Sequence, residues 1–423
     1  MKTGFQKVEE KIVRRPDLRS FCVIGDPGCE GIGACSMQVY AAALQEGNAD
    51  DLILVAGDLV PDGNEKYYRT AFETTNALTD RDVYILRGNH DGGAFETYFG
   101  RGDYAVLGGG TALIVLDNAR RRFSDEGLAL VREVLALPEV EDVFLAFHIP
   151  LPNTFIANAV SQEEFVRLKD AYAARKDKVR FFIAGHVHSR FEDIVDGILF
   201  ICTGGGGAMI EDISGKIPAA EVDHHVYRFE KTADSGWKAR RVDLSERPYR
   251  AEKEDSILAE QLENTVKGEL FAHLRYQTFA ERAEKRGYKV AAALFRALAE
   301  SEYRHARSFF ALLEAPGNFS ETVETFIPRE KFEYEHYYKT VGAYADSHGH
   351  PVSKLAYGAA ADAEKIHAQL LGEAADMENF SAAGFEVCPN CGFIRRISED
   401  GSAGSCPVCG ASAKLFIAFR ASA

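Results

Sequence analysis

The sequence predicts a multidomain chain in three parts: an α/β half built as two β-sheets flanked by helices, an all-α four-helix bundle, and a small cysteine-bound terminus. Three observations carry this. Over 17–245, β-branched runs alternate with helical stretches and end in metal-ligand residue types. Over 256–380, apolar residues recur at three- and four-residue spacing in a background of Ala, Glu, Leu, Lys and Arg. Over 384–419 lie two Cys-x-x-Cys pairs.

At 423 residues the chain exceeds what one hydrophobic core supports. A formal charge of −15 argues against a nucleic-acid backbone or an anionic membrane as the main partner. The N-terminal residues contain no apolar leader and no later run is long enough to span a membrane, so a cytoplasmic protein is expected. Four of the 8 cysteines sit in the two pairs, which reads as a metal site in a reducing compartment rather than a disulfide framework.

In the first part, Phe21 to Ile24 lead to Gly25-Asp26, and Leu52 to Ala56 lead to Gly57-Asp58. Asp82 to Arg87 lead to Gly88-Asn89-His90-Asp91, Val143 to Phe147 to His148, and Val179 to Ala184 to Gly185-His186-Val187-His188. Parallel strands place such residues in the crevice at their carboxyl ends. Helices are expected near Met37–Gln45, Asn64–Ala77, Asp125–Leu135 and Ser161–Tyr172. Ile194–Cys202, His224–Glu230 and Trp237–Val242 follow as strands without helices between them, consistent with a second sheet packed on the first. Three imidazoles, two carboxylates and an amide suit two divalent or trivalent cations, Fe, Mn or Zn. Thr203 to Ala208, with its glycine run, allows a close backbone approach or a turn, and Asp117-Asn118 are candidates for support behind the ligands.

These five motifs, in this order, resemble the calcineurin-like metallophosphoesterases over about half the chain. The resemblance implies that Asp58 bridges two metals, that Asn89, His148 and His186 complete one site, and that Asp26 and His188 hold the other. Metal-activated water would then hydrolyse a phosphate ester, with His90 protonating the leaving group and Asp91 steering it. One departure stands out: the family's Asp-x-His is here Asp26-Pro27-Gly28-Cys29. Purple acid phosphatases supply a tyrosine three residues after the second Asp, where this chain has Pro61. Water, Cys29, Asp62 or a nearby tyrosine are the candidates for the missing ligand, water first.

The charged stretch 246–255, with Pro248, reads as a linker. Breaks near Gly287, near Gly317 and at His348 to Pro351 divide the helical part into four. Glu302-x-x-His305 and Glu364-x-x-His367 each put a carboxylate and an imidazole on one helix face, and Glu269 and Glu330 precede them at nearly equal distances. Such a repeated hairpin follows the ligand logic of di-iron carboxylate bundles. The segment from Gly268-Glu269 to Arg307, together with Glu330-Lys331-Phe332-Glu333, resembles rubrerythrin, a ferritin-like bundle. The resemblance implies that Glu302 and Glu364 bridge two irons, with Glu269, Glu330, Glu333, His305 and His367 as terminal ligands and one iron shifting between His305 and Glu333. His273 and His336 read as packing residues, and His348 and His350 as loop residues.

Cys388-Pro-Asn-Cys391-Gly and Cys406-Pro-Val-Cys409-Gly are paired knuckles fit for tetrahedral iron or zinc, with Phe393–Ile397 a strand covering the site. After a rubrerythrin-like bundle they resemble rubredoxin, which implies an Fe(Cys)4 electron carrier. The combined resemblance implies hydrogen peroxide as oxidant, a soluble NAD(P)H-linked reductase as electron donor, and a homodimer or larger assembly in which electrons cross between subunits. The competing readings are a phosphohydrolase whose bundle senses oxidants or stores iron, a peroxidase with a degenerate phosphoesterase domain, and a non-enzymatic scaffold.

Overall fold

The computed structural model describes residues 4–30, 35–211, 213, 217, 222–232, 236–244, 255–313, 319–376, 380–397 and 404–421. The chain divides into two compact units, Met1–Ala315 and Pro316–Ala423. That division falls inside the expected bundle, so each unit is described by itself. Most of the expected linker, 246–254, lies outside the described residues.

In the first unit, strands β1 (Ile12–Arg14) and β2 (Ser20–Ile24) precede helix α1 (Cys35–Gly47), β3 (Leu52–Val55), α2 (Glu65–Leu78), β4 (Asp82–Ile85) and α3 (Phe95–Phe99). Then come β5 (Tyr104–Gly108), β6 (Thr111–Leu116), α4 (Asp125–Ala136), β7 (Asp142–Phe147), α5 (Gln162–Tyr172) and β8 (Val179–Ala184). Four more strands follow: β9 (Arg190–Val195), β10 (Ile198–Thr203), β11 (His225–Thr232) and β12 (Gly236–Asp243). Asn64, Ser124 and Ser161 cap α2, α4 and α5 by accepting from backbone N–H groups of the first turn.

Two sheets result, of orders β1-β5-β6-β7-β8-β10-β9 and β12-β11-β2-β3-β4. Phe21, Phe144, Phe181, Phe229 and Trp237 are buried between them, and further apolar clusters lie under α4 and α5 on one sheet and under α1 to α3 on the other. The sandwich is thus four layers deep. Its late strands correct one expectation: they form no sheet of their own. The segment Ile194–Cys202 is a hairpin turning at Asp196-Gly197, and β9 and β10 extend the first sheet. Strands β11 and β12 extend the second, because β11 pairs antiparallel with β2.

Helices α6 (Ser256–Lys285) and α7 (Lys289–Leu313) form an antiparallel hairpin in this same unit, and Asp255, placed in the expected linker, is the N-cap of α6. The second unit contains α8 (Phe319–Phe332), one π-helical turn at Glu333–Tyr337, α9 (Tyr338–Ser347) and α10 (Pro351–Ala374). A three-stranded antiparallel sheet follows, β13 (Gly384–Val387) between β14 (Ile394–Arg396) and β15 (Ile417–Arg420). No helix among the described residues is long and apolar enough to cross a membrane.

Candidate metal centres

The carboxyl ends of β2, β3, β4, β7 and β8 deliver the expected side chains to one place. Ligand atoms of Asp58, His148 and His186 lie within 4.8 Å of one another, as do those of Asp26, Asp58 and His188, so Asp58 is common to both groups. The backbone is strained to achieve this: Asp26, Asp58 and His186 all have positive φ, at 51°, 48° and 73°. Gly88 leaves the room Asp58 needs, since a Cβ there would meet Asp58 Oδ1 at 2.1 Å.

The proton arrangement calls for cations. His148 Nδ1–H donates to the Ala56 carbonyl at 2.9 Å, and its Nε2 faces Asp58 Oδ2 at 3.2 Å and Asn89 Oδ1 at 3.1 Å; burial opposes a charge here, but the Asp58 carboxylate outweighs it and raises the ring to about 9, so a proton sits where these groups meet. A metal ion held by these three side chains would take the place of that proton. His186 Nε2 is buried without a hydrogen-bond partner, and burial first, then the charge of His148, holds this ring down at about 4. It therefore stays neutral and ready to ligate. Burial pushes Asp26 well above the carboxylate range and Asp58 adds to it; a cation between the two carboxylates removes that conflict. The residues fit a dinuclear metal site.

Asn118 supports the site as expected. Its Oδ1 accepts from the His148 and Ile149 N–H groups at 2.9 Å each, and its Nδ2 donates to the Ile149 carbonyl at 2.8 Å. The steering expected of Asp91 is corrected. His90 Nδ1–H donates to the Pro61 carbonyl at 2.8 Å, while Asp91 accepts from Gly88 N–H at 3.0 Å and from Tyr68 and Val60 at 3.4 Å. Asp91 is buried and holds the loop; burial and the Asp58 charge push its carboxyl up to about 6. Cys29 packs in the core with Tyr40 and Met37, its thiol pushed up by burial, and Asp62 is exposed and accepts from Asn64 N–H at 2.9 Å. Neither joins a ligand cluster. The glycine run serves close approach: a Cβ on Gly204 would lie 1.9 Å from the Val187 carbonyl, and Ala208 N–H pairs with the Asp26 carbonyl at 2.9 Å.

A cavity of about 1150 Å³ opens over Asp58, His90 and His188. Sequence reasoning missed three of its residues: His224, at the mouth of β11, and Arg304 and Arg307 on α7. Nothing in their local sequence signals a tertiary contact with this site.

The helical part holds two three-residue clusters. In the first unit, His305 Nδ1 lies 3.0 Å from Glu302 and 3.8 Å from Glu269. In the second unit, His367 Nδ1 lies 2.5 Å from Glu364 and 3.6 Å from Glu330. Glu330 Oε2 is buried without a partner, and burial first, then Glu364, pushes its carboxyl up to about 7. Glu333 opens the π turn outside this cluster and accepts from Tyr338 Oη–H at 3.3 Å. His273 bonds the Ala299 carbonyl at 2.7 Å, the packing role expected of it.

Also within the second unit, His367 Nε2–H donates to the Gly392 carbonyl at 3.0 Å, in the knuckle that begins at Cys388. The His367 Nδ1 lone pair then faces carboxylates, again a setting for a cation. Cys388, Cys391, Cys406 and Cys409 form one cluster, with Sγ–Sγ separations of 3.5 Å for Cys388–Cys409 and 3.6 Å for Cys391–Cys406. Gly392 and Gly410 take φ of 77° and 74°, and each donates its N–H to the carbonyl of the first cysteine of its knuckle. The expected covering strand is β14.

Comparison with known proteins agrees with this geometry. The family model described as Calcineurin-like phosphoesterase matches residues 19–190, and the one described as Rubrerythrin matches residues 260–375. Rubrerythrin-2 of Clostridium acetobutylicum is 28% identical over 39% of this chain and 98% of its own length. Nigerythrin of Nitratidesulfovibrio vulgaris is 29% identical over 38% of this chain and 85% of its own. Among solved structures, a purple acid phosphatase from yellow lupin aligns over 56% of this chain and 53% of that one, with 13% identity and a TM-score of 0.46. The rubrerythrin match implies a di-iron centre, the phosphoesterase match implies two metals, and the four clustered cysteines fit a rubredoxin-like iron site. Residues 19–190 are a calcineurin-like phosphoesterase domain and residues 260–375 a rubrerythrin domain, joined in one chain with a four-cysteine metal site.

Proposed function

We propose that the chain is a bifunctional metalloenzyme that hydrolyses a phosphate ester in its α/β half and reduces hydrogen peroxide in its helical half. The observation that carries the hydrolase reading is the convergence of Asp26, Asp58, Asn89, His148, His186 and His188, with the buried His186 Nε2 left without a hydrogen-bond partner. Held by these residues, two cations would supply a nucleophilic water and charge to the phosphoryl oxygens. Water oxygen bonds to phosphorus as the bond to the leaving oxygen breaks; a doubly protonated His90, its Nδ1–H held by the Pro61 carbonyl, gives the leaving oxygen its Nε2 proton, and the proton that the water sheds to solvent balances the one the ring takes back.

For the peroxidase, the rubrerythrin likeness implies a di-iron centre whose candidate ligands are Glu269, Glu302 and His305 in the first unit and Glu330, Glu364 and His367 in the second, with Glu333 the further ligand that the likeness adds, and peroxide takes two electrons and two protons to give two waters. The cysteine site relays electrons from a soluble NAD(P)H-linked reductase. The His367–Gly392 hydrogen bond supports a route within one chain, since Gly392 is covalently joined to Cys391. Exposed Phe271, Leu274, Val290 and Leu294 on the α6–α7 hairpin support self-association into a homodimer or larger assembly.

Two variants test the assignment. Asp58→Ala should abolish phosphoester hydrolysis and keep peroxide consumption; Glu302→Ala should do the reverse. Hydrolysis that survives Asp58→Ala would remove the α/β site from the reaction.

A further inference from the structure

The cavity above the phosphoesterase centre has a wall that the α/β sandwich does not supply. Arg304, Arg307 and Ser308 of α7 line it opposite Asp58, His90 and His188. The helix is fastened there: Gln38 of α1 donates from Nε2 to the Ser308 carbonyl at 3.2 Å. The cavity, about 1150 Å³, lies above the usual range for small-molecule sites of about 300–1,000 Å³, so a phosphoryl group alone leaves most of it vacant.

Both guanidiniums are available. Among the described residues Arg304 pairs only with Glu300, one turn away at 2.7 Å, and with both side chains more than half exposed that pair is weak. Among the described residues Arg307 has no carboxylate within ion-pair distance, and the cavity's own acids, Glu30, Glu211 and Asp223, pair with neither arginine. Two planar forks one helical turn apart suit a phosphate or carboxylate.

We propose that Arg304 and Arg307 form an anion subsite of the phosphoesterase centre, selecting esters that carry a second phosphate or carboxylate. This rests on the hydrolase reading of the same cavity, with the helix that carries Glu302 and His305 supplying substrate recognition to the neighbouring site.

The test is calorimetric titration of the manganese-loaded full-length protein with inorganic phosphate, pyrophosphate and phosphonoacetate. The wild type should bind at least one of the two dianchored probes about ten-fold or more tighter than phosphate, and which one it prefers separates a second phosphate from a carboxylate. R304Q/R307Q should reduce that ratio to near one with the melting temperature unchanged. Equal ratios in wild type and double variant, or no preference in the wild type, overturn the subsite. If the preference is present and lost in the variant while no phosphoester is turned over, the subsite stands and the hydrolase reading fails.

Discussion

Cys29 occupies the stretch where the family's first-motif histidine would lie, and its surroundings decide what replaces that histidine. A thiol with no exposed surface, among Met37 and Tyr40, gains nothing from ionising, and burial pushes it further from thiolate. Cys29→Ala is therefore expected to keep both metals and full hydrolysis while costing about 1 kcal/mol in stability; metal content and a urea midpoint check this. Loss of one metal equivalent would make Cys29 a ligand after all. Asn118 is the opposite case, a side chain far from any motif that three hydrogen bonds make indispensable. Asn118→Ala strands the His148 and Ile149 N–H groups in the core, and at about 1–3 kcal/mol for each unpaired group the expected loss is about 2–6 kcal/mol. Hydrolysis should fall with it, because His148 loses its anchor. That these side chains would come together was legible in the sequence, since each lies at the end of an apolar run. What steers His90 was not: the backbone carbonyl of Pro61 has no residue-type signature, and the adjacent Asp91 drew attention instead.

Strand ends, more than single residues, made the centre readable, because a parallel strand's polarity fixes where its last residue goes. The same logic fails for antiparallel additions. Nothing in Ile194–Cys202 or His224–Glu230 tells which sheet they join, and the pairing of β11 with β2 is a long-range choice made by packing around Phe21 and Phe229. The Asp196-Gly197 turn was visible as a turn-forming pair, yet was passed over inside an apolar run. It yields a pH prediction. Lys169, then Lys176 and Tyr172, hold the Asp196 carboxylate down at about 2, at 2.7, 2.9 and 3.0 Å. A lowered carboxyl contributes stability above its ordinary value of 3.8, and that contribution fades as pH falls toward 2. Asp196→Asn should accordingly melt lower than wild type at pH 7, with the gap closing below pH 3. At the end of β4, Gly88→Ala puts a methyl 2.1 Å from Asp58 Oδ1 and 2.2 Å from its N–H. Neither atom can retreat without moving Asp58, which both ligand groups share, so this variant should fold with the dinuclear site empty; metal analysis beside far-UV circular dichroism separates this from general unfolding.

At the scale of the whole molecule, the three parts were legible from composition and motif, but the reason for joining them was not, because it depends on which surface of which helix meets which cavity. Helix α7 is that connection. Glu302 and His305 lie on one of its faces, while Arg304 and Arg307, two positions further along in each case and so roughly 200° around, lie on the other. A change in metal charge or coordination on the first face would act on a stiff rod whose second face lines the cavity over Asp58, His90 and His188. Coupling between sites is reciprocal in binding free energy, so a two-anion ligand in the cavity should also alter metal affinity at Glu269, Glu302 and His305. For hydrolysis, oxidising the iron with peroxide should shift the KM for a doubly anionic ester by a few-fold, with a smaller shift for a simple aryl phosphate. Glu302→Ala removes the ligand and should abolish the shift while hydrolysis itself continues. Rates measured on reduced and peroxide-treated protein, in both backgrounds, decide the matter. A KM that ignores redox state in the wild type would mean that α7 supplies the arginines as fixed wall and that the two chemistries share a chain without sharing a signal.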